Sequence, residues 1–265
     1  MRSLRHGAGT EAEKEEHNPV DQKTKQALKQ DKFVNTTTQS LEWASEHRRS
    51  VLTAVSAVST VILIAIVIGL IYNSRSDSAA EAFGAALQTY QMPLVQAGEP
   101  LPAGAKVFTS AADRAKAANA QFLAVADKYG MTPSGENARY FAGLTYMEAG
   151  QTQQAEDTLK KVAGGWNSNL AALAKFALAE LDRNSGRDPE AIDLYNQLAA
   201  KPTTTIPAGL AQLQLADLYQ SEGKTDEAKK MYATVKQNDP KGPAGAIATE
   251  KLNPAPAGSQ MSLQQ

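Results

Sequence analysis

Three stretches of the sequence align on one another: ARYFAGLTYMEAGQTQQAEDTLKKV (residues 138–162), AKFALAELDRNSGRDPEAIDLYNQL (174–198) and AQLQLADLYQSEGKTDEAKKMYATV (211–235). Their central glycines, Gly150, Gly186 and Gly223, are spaced 36 and 37 residues apart. Seven residues before each stands a small residue (Gly143, Ala179, Ala216), and five after it an alanine (Ala155, Ala191, Ala228). A fixed period of this length marks stacked supersecondary units. Each position has a mechanical reason. The glycine ends a first helix at a residue needing positive φ. Thr152, Asp188 and Thr225 read as N-caps of a second helix. Pro189 follows at the first helical position, where its missing N–H costs nothing. The paired small residues let the two helices approach closely. Leu159, Tyr195 and Tyr232, with Val162, Leu198 and Val235 one turn on, fill the outer layers.

The pattern extends both ways. Residues 115–130, AKAANAQFLAVADKYG, repeat the second-helix spacing with Ala118, Phe122 and Val125. The matching first helix is SAAEAFGAALQTYQM, with Phe83, Leu87 and Tyr90 on one face. A Pro- and Gly-containing connection, 93–110, replaces the short turn. Residues 244–252 read as a terminal capping helix.

These positions resemble the tetratricopeptide repeat over about residues 135–240. The match includes Tyr146 and Tyr219 three residues after the small residue, with Asp182 in the middle copy, and Pro240 at the close. Arg139, Lys175 and Gln212 stand where the repeat's usual Trp would be. The expected fold is all-α: one N-terminal transmembrane helix, then an α-hairpin solenoid of about three to four repeats.

Upstream lies VLTAVSAVSTVILIAIVIGLIY, residues 51–72, with no charge and no Pro. At 1.5 Å per residue this run makes a helix of about 33 Å, enough for a hydrocarbon core of about 30 Å. It is too long for the apolar part of a cleaved signal peptide, and no A-x-A site follows, so it reads as a retained signal anchor. His47, Arg48 and Arg49 abut one end. Arg75, Asp77 and Glu81 flank the other. The positive-inside rule then places residues 1–50 in the cytoplasm and 73–265 outside it. Ala65 and Gly69 form a small-x-x-x-small pair that would permit close helix contact. The division expected is a disordered arm (1–35), a juxtamembrane helix (36–50), the span (51–72), the repeat domain (73–252) and a flexible tail (253–265). The arm mixes 7 Lys/Arg with 6 acids in its first 32 residues, too polar for a core. It reads as a solvated tail that fixes topology, or as a docking tag.

A single span followed by extracytoplasmic repeats resembles the bacterial family typified by the ancillary subunit of the SecYEG translocon. That resemblance implies the inner membrane, a periplasmic repeat domain, and partners among translocon subunits and membrane-anchored periplasmic chaperones of the peptidyl-prolyl isomerase type. The 50-residue arm and the 93–110 connection depart from the family.

Chemistry has few carriers. Cys is 0, and all 3 His lie at or before His47. This removes Cys–His and Ser–His–Asp sites beyond the span. No phosphate-binding glycine loop or G-x-S-x-G elbow occurs. The acidic pairs Glu156–Asp157 and Asp226–Glu227 fall on first turns, where the helix dipole favours them. Net charge is −1, against nucleic-acid binding. The reading is a non-enzymatic adaptor with no cofactor and no metal. The alternative is a cell-envelope scaffold acting through self-association.

Binding would fall to a groove lined by the first helices. By alignment its residues are Asn137, Tyr140, Leu144 and Met147; Phe176, Glu180 and Arg183; and Leu213, Asp217 and Gln220. Phe176, Leu213 and Leu144 also suit packing between repeats, whereas Arg183, Glu180 and Asp217 have little packing role by residue type. Trp166, after Gly164–Gly165, reads as a plug over the seam between two repeats, with an exposed partner anchor as the second reading.

Overall fold

The computed structural model describes residues 47–95 and 107–254. The arm, residues 36–46 of the juxtamembrane helix, 96–106 of the connection and the tail beyond Pro254 lie outside the described residues. Among the described residues the secondary structure is helical, apart from one isolated bridge pairing Leu94 with Phe108. The helices are α1 (Arg48–Tyr90), α2 (Ala111–Tyr129), α3 (Pro133–Glu148), α4 (Thr152–Ala163), α5 (Ser168–Asn184), α6 (Asp188–Ala200), α7 (Ala208–Ser221), α8 (Thr225–Asn238) and α9 (Pro243–Leu252). The chain divides into two compact units, up to Gly69 and from Leu70.

In the first unit, the described residues are the opening part of α1. This helix is long and apolar enough to cross a membrane. Its large apolar side chains, such as Val61 (66%) and Leu63 (62%), are exposed. The hydroxyls of Thr53, Ser56 and Thr60 donate to the carbonyls of Ser50, Thr53 and Ser56 at 2.9, 3.0 and 2.8 Å. These three hydroxyls thus bond back to carbonyls of their own helix.

The second unit is a row of helices in which each from α2 onward packs on the next, while Phe83, Leu87 and Tyr90 of α1 pack against Phe122 of α2. Gly150, Gly186 and Gly223 have φ of 73°, 72° and 79°. The residue after each glycine donates back across the turn: Gln151 to Tyr146 O (2.8 Å), Arg187 to Asp182 O (2.8 Å) and Lys224 to Tyr219 O (2.9 Å). This six-to-one bond spends a carbonyl that the ending helix leaves free.

That same turn displaces the expected caps. Thr152, Asp188 and Thr225 are the first helical residues; the caps are Gln151, Arg187 and Lys224, with no side-chain cap bond. The cap carbonyls already accept from Ala155, Ala191 and Ala228, so each helix begins one residue sooner than its hydroxyl or carboxyl suggests. Side-chain caps occur instead where Ser110, Thr132 and Asn167 open α2, α3 and α5.

Ala155, Ala179, Ala191, Ala216 and Ala228 are fully buried, as are Leu159 and Tyr195. A Cβ on Gly143 would lie 2.6 Å from Leu159 Cδ2, so the bare backbone of α3 receives that leucine. Phe83 of α1, Phe122 of α2 and Phe141 of α3 form a ring cluster, with Phe122 stacked on Phe141 at 5.3 Å. Val95 donates to Phe108 O at 3.0 Å, closing the ends of the long connection. At the other end α9 packs on α8 and α7 and buries Ala248.

Two further glycines sit in matching places. Gly135 is the third residue of α3 and Gly245 the third of α9, each following Pro-x. A Cβ on Gly135 would lie 2.0 Å from Tyr129 O, and one on Gly245 1.7 Å from Asp239 O. In both, the backbone ending one helix presses on the backbone opening the next.

Candidate protein-binding face

The aligned face residues form three rows, set by distance from the turn glycine: ten before it Tyr140, Phe176 and Leu213; six before it Leu144, Glu180 and Asp217; three before it Met147, Arg183 and Gln220. Spacings of three and four put each set along one side of its helix. Asn137 adds a further turn on α3.

The rows differ in use. The ten-before row packs under the following helix: Phe176 meets Tyr195 edge-on at 5.8 Å, and Leu213, 5% exposed, joins Tyr232 and Val235. In the six-before row, Glu180 accepts a hydrogen bond from the Tyr195 hydroxyl and Asp217 from that of Tyr232. These two carboxylates therefore have a packing role that residue type alone concealed. The first copy substitutes Leu144 and Leu159 at the same two places, and both pack in one apolar cluster. The three-before row lies furthest out. Met147 and Arg183 are half-buried and Gln220 is exposed. Arg183 reaches Gln214 Oε1 on α7 at 3.5 Å, and Lys251 of α9 pairs with Asp217 at 2.7 Å.

Burial and the acceptor carboxylates raise the hydroxyl pKa values of Tyr195 and Tyr232. Tyr90, desolvated and bonded to Glu148, is pushed up to about 12. A raised folded pKa contributes stability that is complete below the unfolded value of about 10 and is lost as pH rises. Wild-type protein is expected to lose stability above pH 10 faster than Tyr195→Phe, by up to about 1.4 kcal/mol per pH unit. Urea midpoints of both chains between pH 8 and 11.5 measure this. Parallel curves would remove the tyrosine from the alkaline limb.

A second polar group lies on the other side of α5. Asp182, where the flanking copies carry Tyr146 and Tyr219, is 8% exposed. Arg187 Nε donates to its Oδ1 at 2.8 Å, and an Arg187 Nη donates to Glu156 Oε2 at 2.8 Å. Lys160 bonds the other oxygen of Glu156 at 2.6 Å. Led by the Lys160 hydrogen bond, these cations lower the Glu156 pKa. One guanidinium thus ties the middle hairpin to the preceding one. An arginine just after the turn glycine together with an acid in the aromatic position was the signal for it. Beside the group runs an open furrow of about 510 Å³, lined among others by Lys175, Leu178 and Leu194.

Trp166 does not plug the seam. It is 78% exposed. Val162 and Leu170 already fill that interior, and Asn167 must turn back to cap α5. The indole is left on the turn's outer side. Among the described residues, no three His, Cys, Asp or Glu side chains are grouped to hold a metal ion.

Stacked hairpins with alanine-lined seams and glycine-ended first helices define an α-hairpin repeat protein. Residues 42–254 match the tetratricopeptide repeat-like domain, and the chain belongs to that family. Among solved structures, a Podosopora anserina protein described as a kinesin light chain with nearly identical TPR-like repeats aligns with a TM-score of 0.49 and 18% identity. The alignment covers 67% of this chain and 84% of that one. That structure carries a point substitution, and the structure without it gives the same values. No curated protein matches the sequence.

Proposed function

We propose that this chain is a membrane-anchored, non-enzymatic adaptor on the periplasmic face of a bacterial inner membrane. Its hairpins hold protein partners beside the Sec translocon, together with membrane-anchored periplasmic chaperones. The observation that carries the reading is the succession within one chain: an apolar helix with exposed side chains, then repeats of a fold that serves protein interaction. The resemblance to the translocon-associated single-span family supports the choice of partners, and Arg48 and Arg49 support the orientation. Tethering would raise the partner's effective concentration at the membrane without any added contact.

The test is affinity capture of full-length protein from detergent-solubilised membranes, beside a chain carrying Met147→Ala, Arg183→Glu and Gln220→Ala in the outermost row. Interface anchors each carry on the order of 1–2 kcal/mol, so the variant should recover at least about tenfold less of each partner. Wild-type protein that recovers neither translocon subunits nor a periplasmic chaperone would sink the partner assignment.

Self-association is the second reading, favoured by Ala65 and Gly69, both exposed one turn apart on α1. Mass measurement in detergent decides it; a monomer at every concentration excludes it.

A further inference from the structure

Within the second unit, the turns that join one hairpin to the next lie along one edge. Three contacts establish this. Arg75 donates to Lys128 O at 2.6 Å and lies over the Tyr129 ring, so the start of the unit's first helix stands beside the end of α2. Gly130 and Gly165 line the same cavity, which brings the α2–α3 and α4–α5 turns together. Thr204 and Thr205 of the α6–α7 turn donate to Asn169 Oδ1 and O, at 3.0 and 2.9 Å.

This edge carries Met131, 91% exposed, and Trp166, 78% exposed. It also carries exposed Lys128, Lys161, Lys201 and Lys241. The acids on this edge are Asp77 and Asp127, both exposed, Glu136, half-buried, and Asp239, which accepts from the amides of Ala244 and Gly245; Arg75 adds a fifth cation to the four lysines. The opposite edge reverses the sign, with Asp188, Glu190, Asp226 and Glu227 in the first turns of α6 and α8, against Arg187 and Lys224 at their caps. Helix dipoles favour this polarity, but they do not call for an exposed indole and thioether.

The apolar run ends on this same edge. Leu70, Ile71 and Tyr72 belong to the unit and are exposed. Tyr72 precedes Arg75 by three residues, about 4.5 Å along a helix. Within the second unit, the last residues of the run thus stand on the edge that carries the Gly130 and Gly165 turns. Tryptophan favours the membrane interface, and lysines there meet headgroups within a Debye length.

We propose that the hairpin-joining edge docks on the bilayer surface, with Trp166 and Met131 in the interfacial layer and Lys128, Lys161 and Lys201 on anionic phospholipid headgroups. The inference rests on the anchor reading above, and the experiment separates the two. Full-length protein carrying Trp43→Phe keeps Trp166 as its one tryptophan. It is reconstituted into phosphatidylethanolamine–phosphatidylglycerol vesicles and into phosphatidylcholine vesicles, each with brominated acyl chains. Docking is supported if Trp166 emission shifts blue and is quenched in the anionic vesicles. Quenching should fall in high salt, and each Lys→Gln change among the three should shift the docked-to-free ratio about fivefold. Protein that floats with the vesicles while Trp166 stays unquenched by lipid and open to aqueous iodide overturns docking and leaves the anchor standing. Equal quenching in both vesicle types, indifferent to the lysines, also overturns it. Protein that fails to float overturns the anchor reading and docking together.

Discussion

Gly135→Ala is expected to destabilise the protein by about 3–4 kcal/mol, the upper end for overpacking and a large part of a marginal fold. The added methyl would stand 2.0 Å from Tyr129 O and 2.4 Å from its carbonyl carbon. Both are backbone atoms at the end of α2, so no rotamer change relieves the clash. The α2–α3 pair must open, and it holds the ring cluster of Phe83, Phe122 and Phe141. Gly84→Ala is the matched control. It lies inside α1, and its Cβ would meet nothing within 4 Å. Losing a helical glycine there should stabilise by about 0.5–1 kcal/mol. Urea unfolding of both full-length variants in detergent, followed by far-UV ellipticity, measures the pair. In a repeat array stability is a sum of local parts, so amide exchange should speed most in α2 and α3. Two variants with the same midpoint would remove backbone contact as the reason for Gly135.

The period was legible because the turn chemistry repeats. A glycine at positive φ and an alanine five residues on recur for reasons that each copy meets alone. The caps were harder, because Thr152 and Asp188 suit two adjacent positions and only the six-to-one bond selects between them. The Pro-x-Gly pairs at Gly135 and Gly245 were visible as residues but have no local meaning. Their cause is a carbonyl six residues back that arrives only when two helices pack. The face residues show the same limit. Alignment put Glu180 and Asp217 on the first helices, but their bonds to Tyr195 and Tyr232 run to a partner fifteen residues on. Charge type alone suggested freedom, and tertiary packing removed it. Trp166 was misplaced for the converse reason. An indole usually seeks a seam, and Val162 and Leu170 had already filled this one.

Val61→Lys together with Ile64→Lys is expected to move the protein from the membrane pellet to the soluble fraction. Each ammonium near the middle of a span costs about 2.5–3.5 kcal/mol on insertion scales, so the pair costs about 6 kcal/mol. That corresponds to a shift on the order of 10⁴-fold in partition. Neither residue belongs to the buried clusters of the second unit, so the cooperative melt of the hairpins should persist. This separates loss of anchoring from loss of fold. The competing reading of such a run, a core helix of a water-soluble protein, needs its apolar side chains covered, whereas 0% of the apolar window is buried. Wild-type protein should stay in the pellet through alkaline carbonate, and the double variant should not. Wild-type protein released by carbonate, at the yield of the variant, would show that the run does not span.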